Sequence, residues 1–413
     1  MNKNHHLLII GYVWPEPDSS AAGLRMMELI SLFQSQGWKI TFASASAETE
    51  YMVDLSDHGI DTQNIAINSS SFDDFVADVQ PSTVIFDRFV TEEQFGWRVA
   101  EQCPDALRIL DTEDLHCLRK ARREAVDEGR LFSESDLLSS KLAEREIASI
   151  LRCDLSLIIS ETEIDLLRDV FGIDSELFQY VPFLLDPIGE AEIQEWRSFE
   201  SREHFVTIGN FRHAPNWDSV CYLKEEIWPQ VRNSLGRAEL HIYGAYVSAE
   251  AQKLHSPQNG FYIEGRAGDA KKVIGRAKVC LAPLRFGAGL KGKLVEAMQC
   301  GTPTVTTPVG AEGLAGDLPW CGALADDADD IARAAIELYT NKSAWERAQQ
   351  NGVGIINKRF NKEKFGPALI EQIAYLRDNL AQHRLKNFTG RMLRHHSMAS
   401  TKYMGRWIEA KNG

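Results

Sequence analysis

The feature that most constrains this chain is a repeated alternation. Short, continuously apolar runs rich in β-formers are each followed by a stretch with helical spacing. In the first half these runs are 7–13, 39–43, 64–67, 83–86, 106–110 and 155–159. The second half repeats the pattern at 204–208, 239–243, 260–263, 279–282 and 304–306. Apolar runs without polar alternation read as strands covered on both faces, and strand–helix alternation builds parallel sheets. The expected fold class is α/β, with two doubly wound, Rossmann-like domains in series. At 413 residues, 44% hydrophobic and 25% charged, the chain has the length and composition for two such domains.

Pro182 and Pro187 bracket the expected boundary. The first domain is read as 1–187 and the second as 188–383, with a distinct tail at 384–413. The tail carries seven Lys or Arg and one acid, Glu409, whereas the remainder carries 38 basic and 58 acidic side chains. Its Tyr403, Met404 and Trp407 offer an apolar face. Attraction to the acidic body favours packing on the first domain; contact with an anionic membrane surface is the alternative. The net charge of −14 disfavours general nucleic-acid binding. Seven scattered cysteines without a C-x-x-C pair fit free thiols in a reducing compartment. The apolar run near the N-terminus lacks a small-residue cleavage site, and no segment reaches the length of a membrane span. A cytoplasmic location is expected, with peripheral contact at the inner membrane surface as its variant.

The segment richest in chemistry is 283–303, Pro-Leu-Arg-Phe-Gly-Ala-Gly-Leu-Lys-Gly-Lys-Leu-Val-Glu-Ala-Met-Gln-Cys-Gly-Thr-Pro. A strand, then glycines, then a helix start is the layout that binds phosphate through backbone N–H groups and the helix dipole. Lys291 and Lys293 in a first turn oppose that dipole unless an anion offsets them. The competing reading is an ordinary turn with a Lys293–Glu296 surface pair.

This stretch resembles the donor-binding signature of retaining glycosyltransferases of family four, which have the GT-B fold: two Rossmann-like domains facing across a cleft. The resemblance implies that Gly289, Leu290 and Lys291 lie at the nucleotide diphosphate, that Glu296 holds the ribose hydroxyls, and that Lys293 is the basic residue. Many relatives carry a further Glu in the pattern Glu-x7-Glu; here that first position is Ala288. The stretch 206–218 resembles the start of the family's donor domain, so Arg212 or His213 is expected to face the diphosphate. Arg266, in 263–269, falls in the turn that resembles the family's base-reading loop. In the first half, Gly23 closes a loop, 12–23, whose N–H groups are placed near the diphosphate. His116 fits the family's position beside the reacting sugar. Asp87 and Arg88 end a strand and are candidates for acceptor contact. Arg119, Arg122 and Arg123 read mostly as a solvated helix face.

No P-loop, nucleophile elbow or His-Glu-x-x-His motif is present, and no Asp-x-Asp pair is read as a metal site. No metal or other cofactor is therefore expected; Lys, Arg and helix dipole would meet the phosphate charge. The resemblance implies a metal-independent retaining glycosyltransferase, with His116, Lys293 and Arg212 as catalytic groups. Its partners would be a nucleotide-diphosphate sugar and a glycan or lipid-linked acceptor. A binding protein without turnover, a GT-B epimerase and a nucleotide-dependent oxidoreductase are the rivals. The last lacks Gly-x-Gly-x-x-Gly in its first loop.

Overall fold

A computed structural model describes residues 5–412. The first sheet holds β1 (His6–Gly11), β2 (Lys39–Ser44), β3 (Asp61–Asn64), β4 (Thr83–Asp87), β5 (Leu107–Asp111), β6 (Leu155–Ile158) and β7 (Phe178–Tyr180). Their spatial order is β3-β2-β1-β4-β5-β6-β7, every pair parallel. The second sheet holds β8 (Glu203–Ile208), β9 (Leu240–Tyr243), β10 (Phe261–Gly265), β11 (Ala277–Ala282), β12 (Thr304–Thr306) and β13 (Gly322–Leu324). Its order is β10-β9-β8-β11-β12-β13, again all parallel. In each sheet the strand order reverses beside the first strand, which opens a crevice at the carboxyl ends there. The two crevices face one another.

Strand alternation explains the cores. Leu8 and Ile10 point into one cluster with Phe86 and Leu110, while Leu7 and Ile9 point into another with Ile85 and Ile109. Three strands differ from the sequence reading. The β3 strand lies at Asp61–Asn64, before the apolar run at 64–67, because it is an exposed edge held by backbone pairing to β2 and a Lys39–Asp61 ion pair. The short β7 and β13 strands span three residues each and show no apolar run. All seven cysteines are unpaired, six of them buried.

The chain crosses between domains twice, at adjacent points. Leu185 N–H donates to Phe360 O at 2.8 Å, and Lys362 N–H donates to Leu185 O at 2.9 Å. The return therefore begins near residue 361, earlier than the charge-based boundary at 384. Helix Lys362–Asp378 then inserts Leu369, Ile373 and Leu376 among Met26, Leu29 and Phe33 of the first domain. Apolar periodicity does not reveal which domain a helix covers, so charge composition misplaces this boundary.

The tail packs on the first domain, but not through the face read from sequence. Arg384 grips Asp154 with two hydrogen bonds of 2.8 Å and also donates to Ala106 O. Helix Phe388–Asn412 then crosses helices Arg88–Gln102 and Lys141–Arg152. Its inner face uses small residues and ions: Gly390 lies against Leu151 O, Gly405 near Trp97, Arg394 donates to Arg152 O, and Glu409 accepts Ser70 N–H. Tyr403, Met404 and Trp407 turn outward and are 67%, 57% and 59% exposed. Close helix contact needs small side chains, and the aromatics are too large for that interface.

Burial alone would raise the Asp154 carboxyl; Arg384 and Arg108 outweigh it and hold it below the ordinary aspartate value. Arg384→Ala leaves a buried carboxylate under-compensated and is expected to cost about 3 kcal/mol in urea unfolding at pH 7. A depressed carboxyl stabilises above its unfolded pKa, about 3.9, and that stabilisation is lost as pH falls. The deficit of the variant should therefore shrink in acid. A deficit that stays constant down to pH 3 would contradict the role given to Arg384.

Candidate functional site

Two helix N-termini meet in the cleft. Helix Ala21–Ser35 starts behind β1, and helix Gly292–Gln299 starts in the second domain after Lys291. They approach so closely that a Cβ on Gly292 would lie 2.6 Å from Ala21 Cβ. Both ends carry partial positive charge and first-turn N–H groups without intrahelical acceptors. Like poles in contact favour an anion beside them.

Lys293 adds a full charge. Its ammonium lies where a Cβ on Gly209 would be only 2.9 Å away, so the missing side chain makes its space. Burial lowers its pKa to about 8, partly offset by Cys280 and Glu296. Among the described residues no carboxylate lies within ion-pair distance of it, so the surface pair with Glu296 is not formed. Glu296 is itself raised to about 7 by burial, against Lys271 and Lys293. Arg212 is exposed, its guanidinium 3.8 Å above the centre of the Tyr246 ring, with no carboxylate partner among the described residues. Both cations remain available to a ligand.

Several residues expected to contact the donor nucleotide have partners within the protein frame. Gly23 N–H donates to Ser20 Oγ at 3.0 Å, and its missing Cβ lets the Glu16 backbone pass. Gly289 N–H donates to Glu163 Oε1 at 2.8 Å, and that same oxygen accepts Leu115 N–H at 2.9 Å. Glu163 thereby staples the two domains; burial, reinforced by Asp114, raises its carboxyl to about 8. Leu290 is buried with Ile159 and Phe183. Lys291 donates to Gly289 O at 2.8 Å, and burial lowers it to about 8. Arg266 reaches Ser19 Oγ at 3.4 Å and lies 4.7 Å above the Tyr51 ring, bridging to the first domain. For Gly289, Leu290 and Arg266 the partners come from the other domain, which spacing along the chain does not show.

The first domain's wall is built at the ends of β4 and β5. Asp87 is buried and accepts Tyr12 N–H at 2.9 Å, so it holds the first loop rather than facing the cleft. Arg88 follows it with φ +69°, and Glu113 follows β5 with φ +61°. Non-glycine residues in the left-handed region store strain and gather at functional sites. Nothing in the sequence singles out Glu113. Burial, then Asp111 and Asp87, raise it well above the ordinary glutamate value. Asp111 in turn pairs with buried Arg25 at 3.0 Å. His116 begins helix His116–Asp127, with Nε2 3.5 Å from Asp114. Burial, Arg119 and Arg88 outweigh Asp114 and lower it to about 4. His213 stands opposite, open to solvent yet crowded by both domains. That crowding, with Arg119, Lys293 and Arg88, also lowers it to about 4. Both imidazoles are neutral at pH 7.

Two arginines expected on a solvated face are part of the site's frame. Arg119 pairs with Asp114, and Arg122 makes a forked pair of 2.7 Å bonds with Glu312 of the second domain. Arg123 and Lys120 do stay on the surface with Asp127 and Glu124. An Asp-x-Asp sequence occurs at Asp327–Asp329, but it is a helix cap: Asp327 accepts Asp330 N–H at 2.8 Å on the surface.

Comparison with known proteins supports the fold across the chain. Residues 202–341 match the family model described as Glycosyl transferases group 1. No curated protein matches the chain. Among solved structures, the sucrose-phosphate synthase of Thermosynechococcus elongatus aligns at TM-score 0.67 and 16% identity, over 90% of this chain and 99% of that one. HepE of Anabaena, solved with UDP-glucose, aligns at 0.65 and 13% identity, over 90% and 100%. WaaG, a glycosyltransferase involved in lipopolysaccharide biosynthesis, aligns at 0.59 and 13% identity, over 88% and 98%. The chain has the two-domain GT-B fold of these structures, and its second domain carries the match to Glycosyl transferases group 1.

Proposed function

We propose that this chain is a glycosyltransferase that moves a sugar from a nucleotide-diphosphate donor, with retention, and without a metal in the cleft. The observation that carries the reading is the pair of abutting helix N-termini beside Lys293 and Arg212, two cations without carboxylate partners among the described residues. As the glycosidic bond to the diphosphate breaks, negative charge grows on the leaving oxygen and positive charge on the sugar ring. Lys293, Arg212 and the helix ends stabilise the first of these, and fixed charges of this kind supply most of the acceleration in many enzymes. Neutral His116 lies on the acceptor side, where it can accept a hydrogen bond from, or donate one to, a sugar hydroxyl. Retention rests on the resemblance to family four. HepE, solved with UDP-glucose, supports a nucleotide-sugar donor.

Ala288 bears on the donor. It is buried in the first domain's core cluster, where a Glu would bring a larger, charged side chain. Glu296 is then the acid of this segment left to meet donor hydroxyls. The acceptor is proposed to be a glycan or a lipid-linked sugar. The tail's outward strip favours the lipid-linked kind: Phe388, Met392, Tyr403 and Trp407 are exposed beside Arg391, Arg406 and Lys411, while the one acid, Glu409, turns inward. Aromatics flanked by basic side chains suit an anionic bilayer surface. No helix among the described residues is long and apolar enough to cross a membrane.

Two outcomes are expected. Lys293→Ala and Arg212→Ala should each weaken UDP by about 1.5–3 kcal/mol in calorimetry, with little change in uridine affinity. They should lower kcat by about 10²–10³. Equal losses for UDP and uridine would remove these residues from the diphosphate. In sedimentation with anionic vesicles, Tyr403→Ser with Trp407→Ser should leave the melting temperature unchanged and abolish binding. Undiminished sedimentation would take the tail out of membrane contact.

A further inference from the structure

A second cluster of ligating side chains lies on the second domain, apart from the cleft. His204 sits near the start of β8, five residues before Gly209, so about 16 Å of strand separates it from the crevice. Glu239 and His241 stand on the neighbouring strand, β9, and the residue before it. Their donor atoms lie within 4.8 Å of one another. Glu239 Oε2 is 3.4 Å from His204 Nε2 and 3.2 Å from His241 Nε2. Tetrahedral zinc with bonds of about 2.0–2.1 Å places its ligand atoms about 3.4 Å apart.

The surroundings resemble the support of a metal site. His241 Nδ1 is 2.6 Å from Glu264 Oε1, so both ring nitrogens face carboxylates. A carboxylate on the far nitrogen is the partner that fixes the tautomer of metal-bound histidines. Tyr262 stacks on His241 at 4.9 Å, and its hydroxyl donates to Glu239 Oε1 at 3.3 Å. Glu203 adds a third acid, 3.9 Å from His204. His204 is held with φ +61°, a cost at a non-glycine residue, and this conformation accompanies a ring set beside Glu239. Its Nδ1 is buried without a hydrogen-bond partner, while Nε2 faces Glu239. The three ligand side chains are each partly exposed, which leaves a path for an ion and room for a water ligand.

We infer that His204, Glu239 and His241 bind one divalent cation of zinc-like character, with Glu264 and Tyr262 orienting the ligands. Two imidazoles and a carboxylate select such an ion over calcium or magnesium, which prefer all-oxygen shells. The site bridges β8, β9 and β10 and would tie that edge of the sheet together. It is independent of the donor cleft and does not rest on the function proposed for it.

The test is calorimetric titration of zinc chloride into chelator-stripped full-length protein, with the melting temperature followed in parallel. One equivalent should bind and raise the melting temperature. His241→Gln and Glu239→Gln should abolish that equivalent, and Glu264→Gln should weaken it about 10–100-fold as an orienting residue. His395→Gln with His396→Gln, an exposed pair on the tail, should leave it intact. Absence of a zinc equivalent in the parent protein would overturn the inference. So would an equivalent that survives Glu264→Gln and His241→Gln unchanged, or one that is lost with the tail histidines. Should His241→Gln fail to fold, the partly exposed Glu264→Gln still decides the matter.

Discussion

The structure depends on bringing two positive helix ends together. Ala21 and Gly292 begin helices in different domains, and the Ala21 side chain occupies the space that a Cβ on Gly292 would need. Ser20 caps one of them through Gly23 N–H, and Glu296 lies near the other without reaching Lys293 in an ion pair. Lys293, partly desolvated and without an ion-pair partner among the described residues, makes the meeting of the two ends less favourable still. A fold that concentrates unpaired positive charge in a cleft is costly unless an anion binds there, and a nucleotide diphosphate has the charge and span to do so.

The rest of the frame holds those helix ends in register. Glu163 collects one N–H from each domain on a single oxygen, and the Arg122–Glu312 fork spans the same gap. Tyr246 reaches back from the second domain to Glu16 at 2.6 Å. Around this frame the chain accepts left-handed backbone at Arg88, Glu113 and Tyr246, each just beyond the end of a strand. Three strained positions at three strand ends mark the cleft as the place where packing has been subordinated to geometry. The two chain crossings, at Leu185 and Phe360–Lys362, are hydrogen-bonded to one another.

Much of this is legible in the sequence, and the failures share one physical cause. The apolar runs locate nearly all the central strands because buried parallel strands need continuous apolar sequence. Lys293 is legible because a lysine in the first turn of a helix works against the dipole. Glu163, Glu113 and the Arg122–Glu312 fork are not, since their roles come from partners far along the chain or from burial at a strand end. Arg122 and Glu312 are 190 positions apart, and no local pattern joins them. The tail shows the same limit. Its charge suggests docking on the acidic body through the aromatics; the contacts on the first domain are made by Arg384, Arg394, Gly390 and Gly405. Periodicity gives a helix its faces; only the neighbouring surface decides which face is inside.

The central claim is that the cleft is an anion site in which Lys293 meets the ligand's charge. Lys293 stands near pKa 8 in the free protein, so at pH 8 a good part of its population is neutral. A bound anion favours the ammonium and must draw a proton from solution. The decisive measurement is calorimetric titration of UDP at pH 8 in two buffers of different ionisation enthalpy. The account requires binding with net proton uptake, and no such uptake in Lys293→Ala. UDP binding with no proton uptake, or with the same uptake in that variant, would contradict it.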